Sequence, residues 1–410
     1  MQRNLITNVK ISKGAIQVIC IEKISTELVE IFNDTKWTTN PLEQTRFIKD
    51  SIARINKAIG GKIKSVVAIV ESNKKTNLEI KMFNKEIAIA SSFVTQDDIN
   101  NVIKLAEAQY QPSGQEVILV QPVRYVVSGI EKKSYNKAPI NKNGKKLKVK
   151  VALSSISKVV KNYVKEIIEN AGLSVSQILT DAHVIPQATI SNSAIAEGAI
   201  SVHIGMKRTY VTVNVNSATI STFNLPLGFI NLVEKVSEYF ECSLETARNL
   251  IKVYGKLDKG SDEIIFTTQK GLKSVSFTQN NLNSIIGQFV NRVAAYAQAF
   301  IGKHESLKKL SVVISGEIKN FTGLKEFTSK SFSSEFVSIY KPLMFIASNT
   351  KNLETIGTEE FIRRYDKVIG KDFNTIVMTN PNTIDTLRKT KTSFIARFIN
   401  KIGGKNVRTT

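Results

Sequence analysis

The sequence predicts a mixed α/β protein of two lobes, and three observations predict it. Between Ala199 and Gly228, apolar residues alternate through Val202, Ile204, Val211, Val213 and Val215, the two-residue period of half-buried strands. Turn chemistry at Gly205 to Arg208 and at Asn216-Ser217 divides that stretch into three antiparallel strands. The same grammar stands at the N-terminus, where Val9, Ile11, Ile16, Val18, Ile19 and Ile21 surround a Ser12-Lys13-Gly14 turn. A unit used twice, roughly 190 residues apart, implies duplicated hairpin-sheet-helix halves facing each other across a cleft.

The elements follow in order. After the first hairpin, Ser25 to Asn33 and Leu42 to Ile59 read as helices, the second stopped by Gly60-Gly61. Ser65 to Val70 is an apolar strand, and Leu78 to Ser91 a strand pair. Thr95 caps a helix whose amides Asp98 helps neutralise. Glu116 to Val127 is a strand, Lys132 to Lys146 a lysine-rich loop, and Val149 to Leu153 a strand. Ser157 to Ala171 is a helix closed by Gly172, so residues 77–150 make a compact insertion. Past Gly228, Phe229, Leu232, Val233, Val236 and Phe240 form one helical face. Ser243 to Gly255 is a second helix, Ile264 to Phe277 a hairpin and Leu282 to Gly302 a long helix. Ser311 to Gly316 is a buried strand; residues 325–380 signal weakly, with a helix near Thr358 to Tyr365. Thr392 to Lys405 is a terminal helix.

With 410 residues and 42% hydrophobic content, the chain can bury more than one core. The formal charge of +22 admits either an anionic partner or a solvated lysine-rich surface. The lysines are spread almost everywhere, which favours the second; only the last thirty or so residues concentrate charge. Aromatic-basic interleaving of the single-strand-binding kind is missing, which makes nucleic acid an unpromising partner. Cys20 and Cys242 lack pairing or metal spacing and read as reduced thiols. No signal peptide and no bilayer-spanning run is visible, so the expectation is a soluble chain or one lying on a membrane. Phosphate-loop, zincin and nucleophile-elbow spacings are missing, and His183, His203 and His304 read as surface or packing residues.

At the C-terminus Phe394, Ile395, Phe398, Ile399 and Ile402 share one helical face, with Arg397, Lys401 and Lys405 beside it. That is the pattern of a helix lying in an anionic membrane interface. Each basic residue there contributes about 1 kcal/mol, so one helix binds reversibly and many copies bind firmly. The alternative is docking on the protein's own body.

Read in order, VTQDDINNVIKLAEA (94–108), VILVQPVRYVVSG (117–129), AGLSVSQIL (171–179) and SVHIGMKRTYVTV (201–213) resemble the FtsA cell-division family. LPLGF (225–229), ETARNLIKVYG (245–255), VVISG (312–316) and the terminal helix extend the resemblance over nearly the whole chain. It implies an actin-like two-lobed fold whose inserted subdomain serves filament contacts and partners. It implies a first lobe of 1–76 and 151–200, the insertion 77–150, and a second lobe of 201–226 and 301–380. A partner-binding subdomain at 227–300, a linker at 381–392 and a membrane-targeting helix at 393–405 complete it. It further implies self-association into filaments, a peripheral place on the inner membrane at the division site, and capture of the acidic FtsZ tail by Arg292, with Asn291 and Lys252 as weaker candidates. Arginine suits a carboxylate because its planar fork donates two parallel hydrogen bonds.

The departures fall on the nucleotide site. The family's first phosphate turn resembles D/E-I-G-T, where this chain has Lys10-Ile11-Ser12-Lys13. The second resembles D-I-G-G-G-T-T-D, where it runs from His203 to Tyr210. Two acids that organise magnesium and water are thus replaced, by His203 and Tyr210 in the second turn's case, and metal-assisted hydrolysis is expected to be weak or missing. Ser315-Gly316-Glu317 replaces T-G-G, and an adenosine-contacting glutamate near Arg248 is also replaced. The residues expected to face ATP, with or without Mg2+, are Ser12, Lys13, Gly14, Gly205, Lys207, Arg208, Thr209, Gly228, Arg248, Lys252 and Gly316. Lys13, Lys207 and Arg208 can attract phosphate without hydrolysing it, or can hold the lobes by salt bridges. The alternatives are an active actin-like ATPase and the related pilus platform protein PilM, which lacks a reason for the terminal helix.

Overall fold

The computed structural model describes residues 4–24, 27–302, 307, 309–332, 337–340, 353–369 and 376–378. His304 and the terminal segment that carries Phe394 to Ile402 lie outside them.

The chain opens with an antiparallel meander, β1 (Asn4–Ser12), β2 (Ala15–Ile24) and β3 (Glu27–Trp37). Of the helix expected over residues 25–33, the described residues 27–33 are therefore strand. Leu28, Val29, Ile31 and Phe32 suit either period, but β2 has open backbone groups along its free edge, and β3 pairs them. Helix α1 (Pro41–Ile59) starts where Asn40 accepts from the amides of Leu42 and Glu43. It buries Ile48, Ile52, Ile55 and Ile59 on the sheet. The short β4 (Gly61–Ile63) then leads to β5 (Ser65–Val70), which runs parallel to β1.

Next comes the inserted unit: β6 (Glu79–Ala88), α2 (Gln96–Ala108), β7 (Gln115–Ser128), β8 (Lys132–Tyr135) and β9 (Lys146–Ser157). Its sheet order is β6-β9-β7-β8, all antiparallel, with α2 on one face. The expected strand pair at 78–91 is a single strand because its partner is β9, far along the chain. The expected loop at 132–146 contains β8, and the strand expected at 149–153 runs through twelve residues. Thr95 and Asp98 form the expected capping box. The unit's ends meet where the Ser157 amide donates to Thr76 O at 2.9 Å.

The chain returns through α3 (Lys158–Glu169) to β10 (Ser174–Thr180), parallel to β5, closing the first sheet in the order β10-β5-β1-β2-β3. Helices α4 (Asp181–Thr189) and α5 (Asn192–Glu197) lead into the second meander: β11 (Ala199–Ile204), β12 (Thr209–Val215) and β13 (Ala218–Leu225). Asn216 and Ser217 both have positive φ, 51° and 66°, the primed turn that a tight hairpin requires. Then follow α6 (Phe229–Phe240), α7 (Leu244–Tyr254), the hairpin β14 (Ile264–Lys270) and β15 (Lys273–Thr278), and α8 (Gln279–Ile301). Strand β16 (Ser311–Gly316) lies parallel to β11, α9 (Leu324–Ser331) follows, and β17 (Val337–Ile339) is parallel to β16. The second sheet, β13-β12-β11-β16-β17, repeats the logic of the first.

The last two elements leave the second lobe. In α10 (Leu353–Ile369), Ile356, Phe361 and Ile362 share a core with Ile6, Ile19, Val67 and Val184 of the first lobe. β18 (Ile376–Met378) pairs with β4. Assignment of 301–380 as a block to the second lobe therefore fails at 353–369 and 376–378: α10's apolar face matches the first sheet.

Candidate functional site

The expected site residues stand on the loops that end both meanders. In the second lobe, the Gly205 amide donates to Arg208 O at 2.9 Å and closes the β11–β12 loop. The start of α6 presses on that loop. Phe229 N donates to Gly205 O at 2.9 Å and Ile230 N to Met206 O at 2.8 Å. A Cβ on Gly228 would stand 2.4 Å from both Lys207 C and Arg208 N, so only glycine fits there. Thr209, fully buried, donates to Leu227 O at 2.7 Å. Gly316 has φ +102°, and a Cβ there would meet Ile204 O at 2.1 Å, while Glu317 N donates to the same oxygen at 2.9 Å. The Arg248 guanidinium approaches Met206 Sδ at 3.8 Å. Gly205, Lys207, Arg208, Thr209, Gly228, Arg248 and Gly316 thus come together; Lys252 lies exposed a turn further along α7.

In the first lobe Ser12 Oγ donates to Ala15 O at 3.3 Å across the turn that holds Gly14. The amide of Lys13 donates to Glu71 Oε2 at 3.1 Å. Arg208 Nε stands 3.9 Å from Glu71 Oε1, so one carboxylate joins the loops of both lobes. The next residue does likewise: Ser72 N donates to Asp181 Oδ1 at 2.9 Å, and Asn224 of β13 donates its amide to Ser72 O.

Behind these loops lies a buried charged network whose acids come from elements other than the two phosphate turns. Asp181 is buried and accepts from Ser72 N and Ala182 N, both at 2.9 Å. Burial pushes its carboxyl up to about 6, against the pull of its hydrogen bonds from Ser72 and Tyr210 and of the Lys10 charge. Lys10 Nζ meets Glu354 Oε1 at 2.5 Å. Burial lowers the Lys10 ammonium, but Glu354 outweighs it and the net shift is upward; Lys10 in turn holds Glu354 below its usual range although burial raises it. His203 and Tyr210 oppose each other in the ladder with ring centroids 6.4 Å apart. Burial drives His203 down to about 4, and its Nδ1 lies 3.0 Å from Ser315 Oγ. The Tyr210 hydroxyl is pushed up by burial and by Asp181. His183, expected as a surface or packing residue, is fully buried between Thr180 Oγ1 at 3.0 Å and Ser154 Oγ at 2.9 Å, joining α4 to β9.

The acids come from the carboxyl ends of parallel strands and from the start of α10. Glu71 follows β5, Asp181 follows β10 and Glu317 follows β16. The rule that α/β sites lie at those ends is the signal that finds them. The residues present do not fit a magnesium–triphosphate group. Lys10 and His203 stand at acidic positions, Glu71 already takes the Lys13 amide and Arg208, and two α6 amides are spent on loop carbonyls. Among the described residues, no group of three His, Cys, Asp or Glu side chains is placed to hold a metal. Elsewhere, Asn291 and Arg292 are exposed on α8, Asn291 Oδ1 accepting from Ser331 Oγ at 2.7 Å.

Similarity to known proteins follows the same outline. Residues 76–155 match the SHS2 domain inserted in FtsA. Cell division protein FtsA of Bacillus subtilis is 23% identical over 61% of this chain and 57% of its own length. FtsA of Neisseria meningitidis is 24% identical over 60% of each chain, and FtsA of Streptococcus pneumoniae 21% over 78% of this chain and 70% of its own. The match thus spans less than two thirds of the Bacillus and Neisseria proteins. Among solved structures, MreB5 of Spiroplasma citri bound to ADP superposes with a TM-score of 0.52 at 9% identity, covering 90% of this chain and 99% of the other. The PilM-PilN type IV pilus biogenesis complex gives 0.51 at 10% identity, covering 87% and 96%. Those two likenesses establish the fold. The inserted SHS2 unit and the relatives along the chain make this chain similar to the FtsA cell-division proteins, on an actin-like fold.

Proposed function

We propose that this protein is a cell-division scaffold that holds FtsZ filaments on the inner face of the membrane, assembles with itself and turns over ATP weakly or not at all. The observation that carries the reading is Glu71: its carboxylate satisfies the Lys13 amide and faces Arg208. The lobes are thereby tied by the chain's own anion, where a phosphate-switched relative would need a ligand to tie them. Lys10–Glu354 adds a second tie between the cleft and α10. The lipid role rests on the apolar and basic faces of residues 394–402, with Phe394, Ile395, Phe398, Ile399 and Ile402 entering the interface and Arg397 and Lys401 meeting anionic headgroups. The FtsZ tail is assigned to Arg292, exposed on α8 where it can meet a carboxylate from outside, with Asn291, whose Oδ1 takes the Ser331 hydroxyl, beside it.

A second reading, an active ATPase, is favoured by one observation, the buried Asp181 beside the cleft. Phosphate release by purified protein with ATP and magnesium separates the two: turnover as fast as that of a working actin-like ATPase overturns the scaffold reading. Co-sedimentation with anionic vesicles tests the membrane role. The full chain should pellet and a chain ending at Thr390 should not; equal pelleting refutes the anchor.

A further inference from the structure

The four-stranded sheet of the inserted unit has two chemically opposite faces. One packs on α2: Leu147, Val149 and Val151 of β9 are fully buried with Ile99 and Val102. The register places Lys146, Lys148 and Lys150 on the other face, all exposed. Arg124 of β7 lies directly opposite Lys150, and Lys132 of β8 opposite Ser128, itself opposite Lys146. The β6 residues on this face are Asn84, Glu86 and Ala88. Five cations therefore share the exposed face with one acid, Glu86, which pairs with Lys146 at 3.1 Å. Opposed like charges such as Arg124 and Lys150 destabilise a sheet and give the fold nothing in return.

The same face is closed off toward the second lobe. Val123, Ala152 and Met82 pack on Val215, Ala218 and Ile220 of the β12–β13 hairpin, and Asn216 donates to Val123 O at 2.6 Å. The cations begin where this contact ends, so the charged surface sits at the foot of a wall. We propose that this face is a docking surface for an extended acidic segment of a partner protein. Along β9 the lysines repeat every ~7 Å, the spacing of alternate side chains in an extended peptide. A bilayer is flat and is held off by the hairpin wall. Single-stranded nucleic acid needs stacking platforms, and the tyrosines nearby, Tyr125 and its partner Tyr135, belong to the inner face.

The test uses the full chain and a labelled peptide alternating glutamate and serine, followed by fluorescence anisotropy at low and moderate salt. The wild type should bind with salt-sensitive affinity. The double variant Lys148→Glu, Lys150→Glu should bind roughly tenfold more weakly, because two attractions become repulsions. Lys104→Glu on the exposed side of α2 and Lys57→Glu on the exposed side of α1 should stay within about twofold of wild type. The neutral pair Lys148→Gln, Lys150→Gln should fall between, with melting temperatures confirming that each variant folds. Absence of wild-type binding, or equal loss in the control variants, overturns the proposal. So does tighter capture of anionic vesicles or of single-stranded DNA with the same dependence on Lys148 and Lys150.

Discussion

Replacing Gly357 by alanine sets two effects of opposite sign against each other. Gly357 lies inside α10, where glycine costs a helix about 1 kcal/mol relative to alanine, so propensity alone predicts stabilisation. Packing predicts the reverse. A Cβ at this position would stand 1.8 Å from Val184 O, a backbone atom of α4, where 3.4 Å is an ordinary contact. The helix must retreat by about 1.6 Å, and a gap of about 0.5–1 Å already forfeits a quarter to a half of a contact well. Ile356, Phe361 and Ile362 bear that loss, being 5%, 0% and 5% exposed. At about 1.5–3 kcal/mol for each buried side chain, losing that fraction costs roughly 2–4 kcal/mol. The packing loss wins, and Gly357→Ala should be destabilised by about 1–3 kcal/mol. Guanidinium unfolding with an unchanged m-value measures it directly. Since Glu354 rides on the same helix, Lys10 should lose its partner too. A variant as stable as wild type, or more so, refutes the close crossing of α10 and α4.

Three further outcomes follow from the cleft. Glu71→Gln keeps the shape but removes the charge, and loss of about 1 kcal/mol of lobe coupling should speed amide exchange at Lys13 roughly fivefold; unchanged exchange refutes the tie. Asp181 titrates near 6 when folded and near 4 when unfolded, so the folded state binds the extra proton between those values and stability rises as pH falls through that window. Asp181→Asn should abolish this gain, at most about 3 kcal/mol, in melts taken from pH 7 to pH 4. His183 behaves oppositely: burial depresses its folded value to about 3, so its contribution is present above the unfolded value near 6.5 and is lost as pH falls toward 3. His183→Gln should shallow the acid limb while lowering the melting temperature at neutral pH, because the bonds to Thr180 and Ser154 are disturbed.

What the sequence disclosed was mostly local. Alternation marked β11 to β13, Gly60 and Gly255 marked helix ends, and Thr95 with Asp98 marked a cap, because each depends on neighbours in the chain. Residues 27–33 were misread because amphipathic helix and edge strand share a composition there, and only a partner along β2 decides between them. The pairing of α10 with α4 was invisible since Gly357 and Val184 lie far apart in sequence. At the site, the loops were legible and their chemistry was not. Aligning two turns against a family pattern finds which acids are replaced; it does not find Glu71, Asp181 or Glu354, which enter from other elements.

The pinning of Ser157 to Thr76 bears on how the first lobe assembles. Strand β10 must find β5 across about 100 intervening residues, a costly closure for a chain that is still loose. The SHS2 unit between them pairs only with itself in its sheet, so it can form first from nearer contacts. Once formed, it shortens the remaining gap to about 25 residues and trims the closure entropy by about 1 kcal/mol. The appendage thus doubles as an assembly clip, and a lesion in its core should slow maturation of a sheet it never joins.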